Sequence, residues 1–246
     1  MTPAELAALL GLNLILITAA MLVLWGVATR LKAVGFIDGA APLGMLVLAL
    51  SSCGLTHGDP VRKGLMVWLC AVWGVRLGWR LLHQWRRDGE PERYRVLFAA
   101  EAAEGRGFAK TALLLVFLPQ AVVIWITALP VLLGQVAAVP PMGWIGWIGA
   151  GIVVAGIAIE NIADAQMWAF GRDASHAGQV MDRGLWRQGA RPDYLGDACV
   201  WWGLWLIAAE TGWVGAASIL GPILMTGLLW RWSGEGGFLP RRSSRG

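Results

Sequence analysis

Long apolar stretches that recur along almost the whole chain limit what it can fold into more than any other feature. A helix crossing the hydrocarbon core of a bilayer needs roughly 20 mainly apolar residues. Leu6–Ala28 meets this, interrupted only by Asn13 and Thr18, and six further stretches follow: Gly39–Leu55, Gly64–Leu82, Thr111–Val139, Gly143–Ala163, Tyr194–Ala209 and Trp213–Trp230. The second and sixth are short and would have to sit beside polar protein or water. The fourth is long and holds Pro119 and Pro130, so it either kinks or ends near Pro130 and runs on as an interfacial segment. The first lacks a basic leader, Glu5 being the only charge before it, so a retained span is expected rather than a cleaved signal. The expected fold is all-α: a polytopic membrane bundle of about seven transmembrane helices.

Charge supports the same reading. Only 15% of the 246 residues are charged, against about 25% in soluble domains, which is too few to cover a water-facing surface. The 16 Trp residues suit membrane interfaces and embedded packing. The net charge of +4 comes without a long basic run, so the expected partner of the charges is the lipid bilayer surface, with no nucleic acid. Basic residues are sharply sorted. Arg30 and Lys32 follow the first span; Arg80, Arg86, Arg87, Arg93, Arg95, Arg106 and Lys110 lie between the third and fourth; Arg172, Arg183, Arg187 and Arg191 between the fifth and sixth; Arg231, Arg241, Arg242 and Arg245 after the last. That is 17 of the 20 on one side, with Arg62 and Lys63 opposite and Arg76 inside a span. The positive-inside rule then predicts an N-terminus outside and a C-terminus in the cytoplasm. One transmembrane domain over 1–232 is expected, followed by a disordered cytoplasmic tail, 233–246.

Cys53, Cys70 and Cys199 are far apart in apolar sequence, and His57, His83 and His176 are equally scattered, so no disulfide and no metal site is expected. Ionisable groups inside spans are costly and need a partner or a purpose. Arg76, Arg80, His83 and Arg87 recur at helical spacing on one face of the third span, Glu160 and Asp164 share a face of the fifth beside Asn161 and Gln166, and Asp197 opens the sixth. Two accounts fit: Arg76 and Arg80 pair with Glu160 and Asp164 to hold helices together, or the same groups line a cleft for a polar ligand. The run Gly143-Trp-Ile-Gly146-Trp-Ile-Gly149-Ala-Gly151 follows no strand, so it predicts close helix packing rather than a nucleotide loop, with Trp144 and Trp147 as interfacial anchors. Trp201, Trp202 and Trp205 would face lipid or line an apolar cavity. No Gly-x-Ser-x-Gly, His-Glu-x-x-His or P-loop pattern is present, which removes the common hydrolase and nucleoside-triphosphatase mechanisms.

Several pieces together resemble the steroid 5-alpha-reductase family, in its bacterial branch. They are Glu160-Asn-Ile-Ala-Asp164-Ala-Gln166, Gly184-Leu185-Trp186-Arg187, Arg191-Pro192-Asp193-Tyr194-Leu195-Gly196-Asp197 and Trp201-Trp202-Gly203. Trp73-Gly-Val-Arg76-Leu77, the Glu90-Pro-Glu92-Arg93-Tyr94 loop, Gln120 followed by Pro130, Gly221-Pro222 to Leu229 and Ser233-Gly234 also match. The likeness runs from about residue 70 onward; the first 65 residues match in hydropathy alone. It implies seven helices around NADPH entering from the cytoplasm, with a hydride passing to an activated carbon–carbon double bond. Carried over, it implies that Glu160 and Asp164 face the cofactor's polar groups and that Arg172, Arg187 and Arg191 meet its phosphates. Asp193, Tyr194, Gly196 and Asp197 would then stand near the nicotinamide end.

This chain departs from the pattern. The usual Arg-His-Pro-Asn-Tyr and closing Gly-Glu read here Ala190-Arg191-Pro192-Asp193-Tyr194 and Gly196-Asp197. Asp193 puts a negative charge where the family has an amide, which would weaken cofactor binding unless Arg187 or Arg191 neutralises it. Ser52-Cys53-Gly54-Leu55 offers no counterpart to the Gln-Glu pair that steroid reductases set on the substrate carbonyl, so steroid specificity is not expected. Reducing an enone also needs a proton donor near the carbonyl oxygen. Of the two phenols, Tyr194 sits in the cofactor motif, leaving Tyr94 as the candidate acid, or else a structural loop tyrosine, with Arg76 or His83 as helper. The expected activity is NADPH-dependent reduction of an apolar, membrane-soluble small molecule (an isoprenoid, a fatty enoyl compound or a sterol-like enone) at the cytoplasmic face of a bacterial inner membrane. The alternatives are an S-adenosylmethionine-dependent methyltransferase of the isoprenylcysteine carboxyl methyltransferase type, whose similar Arg-x-Pro-x-Tyr stretch this chain shares, and a non-catalytic protein retaining the fold.

Overall fold

The computed structural model describes residues 1–176, 179–189 and 191–232. They are helical with no strand among them. Six helices are long and apolar enough to cross a membrane: Pro3–Leu31, Ile37–Leu55, Pro60–Asp88, Phe108–Thr127, Trp144–Arg172 and Trp213–Arg231. The protein is therefore a multi-pass, all-α integral membrane protein. Its contacts divide it into two compact units, Met1–Pro141 and Met142–Gly246; Ala190 and the tail from 233 lie outside the described residues.

In the first unit, α1 (Pro3–Leu31) starts in a capping box: Thr2 Oγ1 accepts from the Glu5 amide and the Glu5 carboxylate accepts from the Thr2 amide. Asn13, buried in this span, is satisfied within its own helix by the Leu9 carbonyl. Helices α2 (Ile37–Leu55) and α3 (Pro60–Asp88) pack antiparallel and very close. A side chain on Gly74 would come within 2.7 Å of the Pro42 carbonyl, and one on Gly78 within 2.8 Å of the Gly39 carbonyl.

Helix α3 begins four residues before the apolar stretch, because Asp59 caps it by accepting from the Arg62 amide and Pro60 suits its first turn. Arg62 thereby enters the helix and is fully buried, its guanidinium donating to the carbonyls of Ala137 (3.3 Å) and Pro140 (2.8 Å). A short surface helix, α4 (Glu92–Ala103), leads to the fourth span.

That span resolves as α5 (Phe108–Ala112), a π-helical turn (Leu113–Phe117), α6 (Leu118–Thr127) and, after Ala128, α7 (Leu129–Gly134). Both expected disturbances occur at prolines. Pro119 follows the wide turn, since it cannot donate to the carbonyl four residues back, and Pro130 enforces a new helix start. α7 is buried, and Gln135 just after it donates to the carbonyls of Ala49 and Val131.

The second unit is built on α8 (Trp144–Arg172) and α9 (Pro192–Ala209), packed antiparallel, with α10 (Trp213–Ala216) and α11 (Leu220–Trp232) beside α9. Glu210 caps α8 by accepting from the amides of Gly143 (2.9 Å) and Gly146 (3.2 Å). The glycine run acts in close packing at Gly149, where an added Cβ would sit 2.6 Å from the Gly203 carbonyl, while Gly151 faces open space. Trp144 and Trp147 are exposed, as befits interfacial anchors. Trp201 is fully buried rather than lipid-facing, and the indoles of Trp202 and Trp205 donate to Thr226 and to the Ala216 carbonyl. The 18-residue α9 is not among the helices apolar enough to span alone, since Asp193 and Asp197 occupy its first turns.

Candidate functional site

All nine residues expected to hold a cofactor fall in the second unit, where α8 ends and α9 begins. Their arrangement starts from glycine. A Cβ at Gly156 would lie 2.5 Å from the Gly196 carbonyl, and one at Gly196 would lie 2.7 Å from the Gly156 carbonyl and 2.6 Å from Glu160 Cγ. The absent side chains let the helix backbones touch, as in small-residue membrane packing. The consequence is chemical: the contact buries two carboxyl groups, Glu160 (3% exposed) on α8 and Asp197 (7% exposed) on α9. Gly196 is accounted for by this packing. Asp164 is half-buried one turn further along α8.

The segment joining α8 to α9 is pinned back onto α8 at two points. Trp186 is buried, and its indole N–H donates to the Ala163 carbonyl at 3.0 Å. Gln166 Oε1 accepts from the Leu185 amide at 2.9 Å, beside Gly184, whose φ of 58° lies in the left-handed region that favours glycine. Between these anchors and α9 stands Arg187, exposed and without an ion-pair partner among the described residues. Arg172, also exposed, lays its guanidinium over the Trp168 ring (4.4 Å). His176 stacks on Phe170 with ring centroids 4.3 Å apart, and Arg183 reaches its Nε2 at 3.3 Å.

Arg191 is engaged differently. It meets Asp193 with two parallel hydrogen bonds, Nε to Oδ1 at 3.0 Å and Nη2 to Oδ2 at 2.8 Å, and its guanidinium covers the Tyr194 ring at 3.7 Å. Burial pulls its pKa down, but the hydrogen bonds and charge of Asp193 outweigh that and hold it above the ordinary arginine value. Of the two arginines that the sequence offers to neutralise Asp193, it is therefore Arg191 that does so. Ala190, the other departure, lies outside the described residues.

The two catalytic candidates belong to the first unit. Arg76 is half-buried on α3; His83, two turns on, is exposed and stacks on Trp79. Tyr94, near the start of α4, donates its phenolic proton to Asp38 Oδ1 at 2.9 Å, while Arg93 pairs with the other oxygen of Asp38. Burial, then the Asp38 charge, push the Tyr94 phenol above its ordinary range. Glu90 completes a clasp between two chain segments: its Oε1 accepts from the Val34 and Gly35 amides, both at 2.8 Å, and its Oε2 from the Trp85 indole at 3.2 Å. Asp38 and Glu90 were not candidates on sequence grounds, because the bonds that join the two segments span 55–56 residues and leave no local period. No group of three or more His, Cys, Asp or Glu able to hold a metal occurs among the described residues.

The sequence model of the family described as "Protein of unknown function (DUF1295)" matches residues 24–236. No curated protein and no solved structure matches the chain significantly. The match spans most of the chain, which therefore belongs to the DUF1295 family.

Proposed function

For this DUF1295 member we propose an NADPH-dependent membrane reductase that saturates an activated carbon–carbon double bond in an apolar, membrane-dissolved molecule. The family's relation to steroid 5-alpha-reductase-like proteins supports the reading, as do the sequence pieces from Glu160 to Gly203. The observation that carries it is the polarised cluster at the α8–α9 end: buried carboxyl groups on the helices, and exposed arginines on and beside the connecting segment. The sorting of basic residues supports a cytoplasmic position for that end, where NADPH is available; a bacterial inner membrane is the proposed location.

The residues present fit such a cofactor. Arg187 and Arg172 have exposed guanidinium groups that suit phosphate oxygens. Glu160, Asp164 and Asp197 offer acceptors to hydroxyl or carboxamide donors. NADPH, when bound, supplies the hydride. The chain's own work is to orient it, through the pinned 184–189 segment.

The Arg191-Pro192-Asp193-Tyr194 stretch, which resembles that of the isoprenylcysteine carboxyl methyltransferases, favours a second reading, methyl transfer from S-adenosylmethionine. One assay separates the two: thermal unfolding of detergent-purified protein with NADPH, NADH or S-adenosylmethionine. A ligand at 100 times its dissociation constant adds about 2.7 kcal/mol. Stabilisation by NADPH, lost in R187A, is the expected result. A response to S-adenosylmethionine alone replaces the reductase with a methyltransferase, and no response to any of the three points to a non-catalytic protein.

A further inference from the structure

We propose that Asp193 acts as a charge clamp, which holds Arg191 off a phosphate-bearing ligand and so sets the affinity of the site. The inference deepens the reductase reading and rests on it for the identity of the ligand. Three observations carry it. The pair is bidentate, so two of the five N–H donors of Arg191 and both oxygens of Asp193 face each other. One face of the guanidinium is covered by the Tyr194 ring at 3.7 Å, and the Trp186 ring centroid lies 6.0 Å from it. Asp193 is itself held at the start of α9, where a negative charge is favoured by the helix dipole, and its side chain is only 13% exposed. The clamp is thus fixed from both sides, whereas Arg187, four residues earlier, is exposed and has no such partner among the described residues. Phosphate recognition falls to Arg187 and Arg172, and Asp193→Asn would return Arg191 to it.

The test has two arms on the full-length protein in detergent. In the first, arginines are modified with phenylglyoxal without ligand, and rates are mapped by mass spectrometry with Arg187 as the internal reference. Arg191 should react more slowly than Arg187 in the wild type and approach it in D193N, or in D193S if D193N does not fold. Equal relative rates in the wild type and the variant overturn the clamp, whatever NADPH does.

In the second arm, NADPH affinity is measured for wild type, D193N and D193N/R191A. D193N should bind about tenfold tighter, the size of one added charge-assisted hydrogen bond, and the double variant should lose that gain. Affinity unchanged in D193N, while R187A abolishes binding, overturns the role in affinity. If no form binds NADPH but Arg191 is slow in the wild type and fast in D193N, the clamp stands and the reductase reading falls.

Discussion

Placing a methyl group at Gly156 tests the packing that creates the site. A Cβ there would meet the Gly196 carbonyl at 2.5 Å, Cys199 Cβ at 2.9 Å and the Val200 amide nitrogen at 3.1 Å, and two of these three are backbone atoms that cannot rotate away. Comfortable C···O contacts between helices start near 3.3 Å, so α8 and α9 must part locally by about 0.8 Å. Overpacking of this kind costs about 1–3 kcal/mol. It is set against a gain of about 0.4–1 kcal/mol from replacing glycine in a helix.

Gly151, on the same helix, provides the control, since nothing lies within 4 Å of an added Cβ and only the gain applies. G156A should therefore unfold at a lower temperature than wild type and G151A at a slightly higher one. At about 2–4 °C per kcal/mol for a chain of this size, the two variants should differ by several degrees. Thermal unfolding in detergent, followed by intrinsic tryptophan fluorescence, measures this directly. Equal melting temperatures for G156A and G151A would refute the idea that the glycines are there for backbone contact.

Two further predictions concern the clasp in the first unit. E90A removes the acceptor of the Val34 and Gly35 amides and of the Trp85 indole; it should cost about 1–3 kcal/mol and speed hydrogen exchange at residues 34 and 35, and unchanged exchange there would dismiss the clasp. Y94F should weaken the protein at neutral pH by about 0.5–1.5 kcal/mol, because the bond to Asp38 is lost. The folded-state pKa of Tyr94 is raised by burial and by the Asp38 charge, so the stability it contributes is complete below about pH 10 and is lost as pH rises towards the folded value. The deficit of Y94F against wild type should shrink in alkali, and melting curves that stay parallel from pH 7 to 11 would contradict this.

What could be read from the sequence follows from the range of the interactions. Hydropathy is local, so Leu6–Ala28 and Gly143–Ala163 announce α1 and most of α8, and the prolines at 119 and 130 announce the disturbed fourth span. Glycine spacing announces that α8 packs closely on a neighbour, as Gly149 does, but not which helix that is, nor that Gly156 and Gly196 carry the contact at the site. The extension of α3 to Pro60 was hidden by charge: Arg62 looks like a loop residue until carbonyls from Ala137 and Pro140, some 75 residues on, satisfy it. The bonds of Asp38 and Glu90 to the other segment of the clasp span similar distances. The Arg191–Asp193 pair is an intermediate case. Two residues apart at a helix start, they share no helical face, so the need for a neutralising arginine was legible but the identity of the partner was not.

The same pair changes how the candidate site should be counted. Among its nine residues are four acids, Glu160, Asp164, Asp193 and Asp197, and three bases, Arg172, Arg187 and Arg191. Counted as composition, that set looks poorly suited to a polyphosphate. Counted by position, it divides. Asp193 and Arg191 cancel each other. Glu160 and Asp197 are buried where the helices touch. Arg172 and Arg187 stand exposed. A ligand with a phosphate end and a neutral, hydrogen-bonding end matches that division, whereas a compact dication or an isolated phosphate would use only half of it. In the proposed reading, it is this separation of charge, more than the net balance, that makes a dinucleotide the better occupant than S-adenosylmethionine.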